Sequence, residues 1–421
     1  MVMTHSRPAA APALPRHVFW LLCSRAARSV AQGVLAVDFA LYLRSLHWSG
    51  SEIGSVLAVG LVFGVTLTIA TSMASDKYGR KDFLIAYDTI YVIACLAAIA
   101  STNTLVLATA AVVGSFGRGA SGSAGPFSSL EQAWMTQGLS ASEWTRALRL
   151  NATVGFLGMA VGAALGTLPD LFAARFVAGS SSFIIVFAVA SIAGLFSLMF
   201  IALARDQHLL QIETVPVAVE RKLRTAENRN LAKLGLVNFL QGTGIGLTGP
   251  LVSYWFAIRF HVGSSRISLL MCAGFILAAL SSQIAGRFTS RYGLMNVVVT
   301  FRLAALAMLL GLPMAPSFPV AMAFFLLHNT LNRATNGPRS AITAGLVRNQ
   351  RRGFAGMISK VSRQVPRSFG PAISGYAFDN GFLVAPFVIG ALFQAGYLLL
   401  YQKHFRDQVP VRNARAVVSS A

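Results

Sequence analysis

The chain has 421 residues, a net charge of +21, 55% hydrophobic residues and only 12% charged ones. Soluble domains carry roughly 25% charged residues, so this chain cannot build a water-facing shell, and the solvent around most of it is lipid. The same numbers exclude disorder and a disulfide-stapled secreted fold; Cys23, Cys95 and Cys272 lie in apolar stretches and form no metal-ligand pair.

Residues 1–16, with Pro8, Pro12 and Pro15, read as a flexible lead. Only Val18 to Cys23 precede Arg25, too short an apolar run for a cleaved signal peptide. A spanning helix needs roughly 20 apolar residues. Twelve runs meet that need: 18–43, 53–74, 83–101, 105–130, 148–168, 181–203, 232–257, 267–286, 296–314, 318–345, 357–378 and 382–402. They predict an all-α membrane protein with twelve transmembrane helices in two six-helix pseudo-repeat bundles. The first bundle covers 17–203 and the second 232–402. The polar stretch 204–231, with Glu213, Glu220 and Glu227 among its bases, is expected as a cytoplasmic linker with some amphipathic helix. The tail 403–421 is basic. Linker and tail are both expected to meet anionic membrane lipid.

Orientation follows from the bases between the runs. With the N-terminus inside, the cytoplasmic segments hold 22 Lys and Arg, against four (Arg44, Arg175, Arg259, Arg266) on the other side. Both termini are therefore expected in the cytoplasm. The bases sit in short gaps between spans, which makes them orientation signals and leaves no nucleic-acid surface.

The two halves repeat. Asp76-Lys77-Tyr78-Gly79-Arg80-Lys81 follows span two, and Ser290-Arg291-Tyr292-Gly293 follows span eight, with the Tyr-Gly pairs 214 residues apart. Gly125-Pro126 with Ser128 recurs as Gly337-Pro338 with Ser340, Gly158 as Gly370, and Arg118 roughly as Arg333. A near-constant offset at matching places marks an internal duplication of the kind transporters use. The first loop resembles the signature loop of the major facilitator superfamily, with Ser72 where glycine is usual. Arg118-x-x-x-Gly122 is similar to that family's span-four arginine motif, and the stretch Gly125 to Ala133 resembles bacterial, drug-efflux-like members. Span five has Gly155, Gly158, Gly162 and Gly166 but no proline before Pro169. It thus departs from the Gly-Pro motif of drug–proton antiporters and reads as a packing seam. The resemblance implies a bacterial inner-membrane transporter working as a monomer, with spans one, four, seven and ten lining the route. It also implies that Asp76, Lys77, Gly79, Arg80, Lys81, Arg291 and Gly293 form gating loops. In that arrangement Asp76 meets a helix N-terminus of the opposite half, where the dipole favours a carboxylate.

Nine bases fall inside the spans: Arg25, Arg28, Arg118, Arg302, Arg333, Arg339, Lys360, Arg363 and Arg367. Only Asp38, Asp88 and Glu131 accompany them. A charge at the bilayer centre costs roughly 2.5–3.5 kcal/mol even on a lenient scale, so most of the nine must face a water path, a partner or the headgroups. Lys360 and Arg363 are placed to snorkel, and Asp88 and Arg302 to pair structurally. Arg25, Arg28 and Gln32 share one stripe of span one, and Gln241-Gly242 repeats Gln32-Gly33. The substrate route is expected to use Arg25, Arg28, Gln32, Arg118, Gln241, Asn332, Arg333 and Arg339, with Asp38 or Glu131 carrying a coupled proton. Pro250, Pro338, Pro366 and Pro371 mark places where spans can bend.

No phosphate-binding loop is present, and His328 has no acid or thiol at useful spacing. Neither an enzyme nor a cofactor or metal site is expected. The sequence points to a secondary transporter for a small anionic or zwitterionic solute. The alternatives are a lipophilic-drug exporter and a non-transporting sensor or assembly partner.

Overall fold

The computed structural model describes residues 15–117, 128–175, 179–204, 217–346 and 352–405, and within them the side chains at 72–78, 129, 141, 142, 145, 217–226, 282–285, 290, 341, 344, 345 and 352–355 lie outside the description. The described residues are helical, with no β-strand among them. Spans one to three are α1 (Arg16–Ser45), α2 (Gly50–Tyr78) and α3 (Arg80–Ala100). Span four divides into α4 (Thr104–Gly114) and α5 (Ser128–Met135). Span five is α6 (Ala141–Leu165), extended by α7 (Leu168–Arg175), and span six is α8 (Ile184–Leu203). Span seven divides into α9 (Val217–Thr248) and α10 (Val252–Phe260), so its helix begins inside the stretch expected as linker. Spans eight and nine are α11 (Ser264–Tyr292) and α12 (Leu294–Gly311). Span ten divides into α13 (Phe318–Ala334) and α14 (Asn336–Gly345), and α15 (Arg352–Asp379) and α16 (Ala385–Phe405) complete the set.

The breaks have local causes. In span four, Ser115 and Gly117 take positive φ (59° and 71°). In span seven the break holds Gly249 and Pro250, and proline has no N–H to continue the ladder. In span ten, α14 restarts with Pro338 in its first turn, where a missing N–H costs nothing. Pro366 and Pro371 do not divide their span: α15 runs through both. Close neighbours hold them there, because Pro366 lies over Gly242 and the Pro371 carbonyl over Gly54. Eight described helical segments are long and apolar enough to cross a membrane by themselves, and they correspond to every span except four, seven, ten and eleven. Those four are the broken spans and the arginine-bearing one.

Glycine sets the distances between helices. On α6, a side chain at Gly158 would meet the Ala26 carbonyl of α1, and one at Gly162 the Val30 carbonyl. In the second bundle, Gly246 and Gly370 face each other between α9 and α15. Between the bundles, α2 meets α15 through Gly50, Gly54 and Gly375, while α6 meets α11. Lipid gives no hydrophobic drive for helix association, so contact area at close approach must supply the adhesion.

At the face away from the chain termini, the bundles are joined by carboxylates. The first N–H groups of a helix have no partner within it. In α2, Glu52 N donates to the Ser49 hydroxyl at 3.2 Å, and Gly50 N and Ser51 N donate to Asp379 at the end of α15, each at 2.7 Å. In α11, Ser265 N donates to Asp170 of α7 at 2.8 Å. Beside it, the Ser264 hydroxyl donates to Asp38 and lies 3.1 Å from the Gly166 carbonyl. Each bundle thus caps a helix of the other with a carboxylate at the positive end of the dipole. The sequence places such a contact at the Asp76 loop. The side chain of Asp76 lies outside the description, so the contacts at the opposite face are further ones.

Two outcomes follow for the protein in detergent or liposomes. Gly162→Val forces a side chain into the α1 backbone and is expected to lower stability by more than about 2 kcal/mol, read as a fall in the thermal midpoint; an unchanged midpoint refutes the seam. A carboxylate at a helix N-terminus is worth up to about 1 kcal/mol when exposed. Asp170→Ala with Asp379→Ala should therefore shift the bundles roughly tenfold toward separation at that face, read by spin-label distances between the 46–49 and 261–263 connections.

Candidate transport site

Polar side chains gather at equivalent places in the two bundles, with opposite solutions. In the first, Arg28 of α1 is the hub. Its Nε and Nη2 donate to Asp88 of α3, both at 3.1 Å, and its Nη1 donates to Glu131 of α5 at 2.6 Å. Ser197 of α8 donates to Asp88 at 2.5 Å, and Ser24 lies 2.9 Å from Ser197. Arg28, Asp88 and Glu131 are buried. A bidentate guanidinium–carboxylate pair is the strongest form of this contact. Arg25 lies one turn earlier with its guanidinium flat on Gly155, within electrostatic reach of Glu131. Two bases and two acids therefore close a neutral cluster that ties spans one, three, four and six. Gln32 is buried one turn further along, and Gly33 beside it meets the Met159 carbonyl.

In the second bundle the equivalent place holds bases and no acid. Arg302 of α12 donates from Nε to the Thr335 hydroxyl at 2.9 Å, and its guanidinium lies 5.4 Å from the Tyr397 ring centre. Arg339 of α14 lies 5.2 Å from the same ring and 6.0 Å from that of Tyr401. Its Nη2 donates to Gln241 at 2.5 Å and to Asn238 at 3.4 Å. Arg363 lies within electrostatic reach of Arg339, Arg302 and Arg367. No Asp or Glu occurs in the chain between Glu227 and Asp379.

Arg333 of α13 is set between the bundles. Its guanidinium lies 5.0 Å from the Phe156 ring of α6 and 5.5 Å from the Phe275 ring of α11, and its Nε donates to Asn329 at 3.1 Å. Arg367 is its electrostatic neighbour. Asn332 takes the Thr335 hydroxyl on its carbonyl at 2.7 Å. His328 sits 2.7 Å from the Ala305 carbonyl, a helix-to-helix tie. Arg118 lies outside the described residues.

The signature loops are mirror copies. Gly79 and Gly293 have φ of 88° and 84°, each ending one helix and starting the next. Lys81 donates to the Ala202 and Ala204 carbonyls at the end of α8, at 2.7 and 2.9 Å, so it closes a helix of its own bundle. Arg80 is partly buried, and Arg291 lies exposed over Tyr292 at 5.4 Å. The side chain of Lys77 is not described. On this face Lys360 donates to Ser128 at 2.6 Å, across the bundles. Just outside the spans, Glu143 accepts from Ser140 in the capping box of α6; these bonds hold its carboxyl below the usual range.

Sequence reasoning missed Asn238, Thr335, Tyr397, Tyr401 and Phe156 around the arginines, and Asp170 and Asp379 between the bundles. Only the two aspartates left a trace, an acid closing spans five and eleven alike.

The chain matches the Major Facilitator Superfamily over residues 21–228 and 234–418. It is 20% identical over 406 residues to YJR124C, an uncharacterised membrane protein of Saccharomyces cerevisiae, covering 89% of this chain and 90% of that one. It is 24% identical over 205 residues to the uncharacterised MFS-type transporter YdeE of Escherichia coli, covering 48% of each. Among solved structures it resembles the nucleoside transporter NupG in its D323A form (TM-score 0.69, 16% identity, 93% of this chain and 100% of that one). It also resembles a D-xylose–proton symporter (TM-score 0.69, 12% identity, 91% and 97%). At these identities the structures show the fold alone. With twelve spans, a duplicated loop and a family match along nearly its whole length, the chain belongs to the Major Facilitator Superfamily and is a membrane transporter of that fold.

Proposed function

We propose that the protein is a secondary transporter for a small anionic or zwitterionic organic solute, moved by rocking of the two bundles about a site between them. The observation that carries this reading is the run Arg333, Arg363 and Arg367 in a bundle whose stretch from 228 to 378 contains no acid. Arginine does not shed its proton. A path lined by such groups attracts anions and focuses their field in a low-dielectric wall. Arg333, clasped by a ring from each bundle, is placed to feel both the solute and the separation of the halves.

Proton coupling is assigned to Asp38 over Glu131. Glu131 is engaged by Arg28 inside one bundle. Asp38 instead meets Ser264 of the other bundle and is fully buried there. A carboxyl that is sealed when the bundles meet and wetted when they part exchanges its proton in step with that motion. The positive-inside count supports cytoplasmic termini.

Proteoliposomes test both parts. Arg363→Ala and Arg367→Ala are each expected to cut uptake of the transported anion tenfold or more, the scale of a hydrogen bond to a charged group (about 1.5–3 kcal/mol). Asp38→Asn is expected to keep solute exchange while losing the response to an imposed pH gradient. Full anion flux in both arginine variants would reject the charge argument, and an intact pH response in Asp38→Asn would reject the coupling site.

One observation favours a lipophilic-compound exporter instead. An apolar groove of about 530 Å³ runs between α1 and α8, lined by Cys23, Val30, Val189, Ile192, Phe196 and Phe200. Energy-dependent efflux of a dye panel, with no anion flux, would select that reading.

A further inference from the structure

We infer that the second bundle holds a small inorganic anion of the chloride class, bound among Arg302, Arg339 and Tyr397, apart from the solute route.

The argument starts from the repeat. Asp88 stands nine residues after Gly79, and Arg302 stands nine residues after Gly293. The two positions are copies of one another with the charge reversed. In the first bundle the acids at this level meet Arg28 on span one. In the second, span seven offers only neutral Asn238 and Gln241. The first cluster carries its counter-charges in the chain, and the second does not.

The bases of this second cluster have nowhere to shed their charge. Arg302 and Arg339 are 4% and 6% exposed, and Tyr397 is 1% exposed. At 1.5 Å per residue, Arg302 lies about 12 Å along α12 from its start, and Arg339 about 9 Å from the end of α14. Both therefore lie inside their helices rather than at the ends. Neither has a carboxylate within ion-pair distance among the described residues. Arg302 Nη1, Arg339 Nε and Nη1, and the Tyr397 hydroxyl make no hydrogen bond to the described chain. Four donors and two formal positive charges thus gather around one tyrosine ring, with the Arg363 charge within electrostatic reach; beside them the only acceptors among the described residues are neutral, the oxygens of Thr335, Asn238, Gln241 and Tyr401. The tyrosine ring faces and Gln241 offset part of the charge. Water can satisfy the donors and leaves the charge in place. An anion does both.

Burial selects the size. Thr335 and Gln241 close the cluster and are themselves buried. A halide or nitrate needs only N–H and O–H donors, and the burial of the lining side chains favours so small an occupant. Arg363 borders both this cluster and Arg367, so Arg367→Ala is the variant that tests the route apart from this site.

Equilibrium binding of radiolabelled chloride to the purified full-length protein, with gluconate holding the ionic strength, tests the site. The wild type is expected to show one saturable component, displaced by bromide and nitrate. Arg302→Gln and Arg339→Gln should abolish that component. Tyr397→Phe keeps the ring beside both guanidiniums and loses one donor. It should raise the half-saturating concentration about tenfold, the lower end for a hydrogen bond to a charged group. It also serves if the arginine variants fold poorly. The inference is overturned by a wild type without saturable binding, or by unaltered binding in both Tyr397→Phe and Arg339→Gln. Displacement by benzoate as readily as by bromide also overturns it, since that would give these arginines to the solute route.

Discussion

A guanidinium inside a membrane keeps its proton, so everything near it is arranged to answer a fixed positive charge. That constraint orders the interior of this protein more than any hydrophobic contact, because apolar surface gains little by leaving lipid. In the first bundle the answer is internal. Arg28 collects a carboxylate from α3, another from α5 and a hydroxyl from α8. Four spans are pinned by one side chain, and removing either acid would leave a buried charge that the remaining partner meets only in part. In the second bundle the rings of Tyr397 and Tyr401 and the amides of Asn238 and Gln241 give a weaker answer. The two halves share a backbone plan and differ in their electrostatics.

The seams between helices obey a second constraint, the need for close approach. Within each bundle the tightest pair is span one on five and span seven on eleven, both at glycine. Between bundles the contacts are α2 on α15 and α6 on α11, and each carries a carboxylate at one end. The glycines let the helices approach closely, and the carboxylates tie their ends at that separation. At the termini face Lys360 donates to the Ser128 hydroxyl across the bundles.

Much of the architecture was legible because membranes impose a simple code. Twelve apolar runs and a loop repeated after 214 residues needed no tertiary information, and the glycine ladder of span five reads as a seam because 3.6-residue spacing puts all four glycines on one face. The partners of the arginines were not legible. Asp88 and Glu131 are 60 and 103 residues from Arg28 along the chain, and only the fold brings them together. Aromatic residues such as Tyr397 and Phe156 carry no signal that separates them from lipid-facing rings. The inter-bundle carboxylates were hidden for another reason. Asp170 and Asp379 lie at helix ends, where an acid is ordinary, and their partners are backbone N–H groups that any sequence supplies.

Duplication explains why charge reversal at one level is informative. A copied half inherits the depth and direction of each side chain along with the helix that bears it. When Asp88 and Arg302 occupy copies of one position, the pocket around each is fixed by the same helix packing, and only the sign of the occupant changes. The first bundle shows that this pocket holds a full cation–anion cluster in a folded protein. The second has the same enclosure, made by spans seven, nine, ten and twelve, with both fixed charges positive.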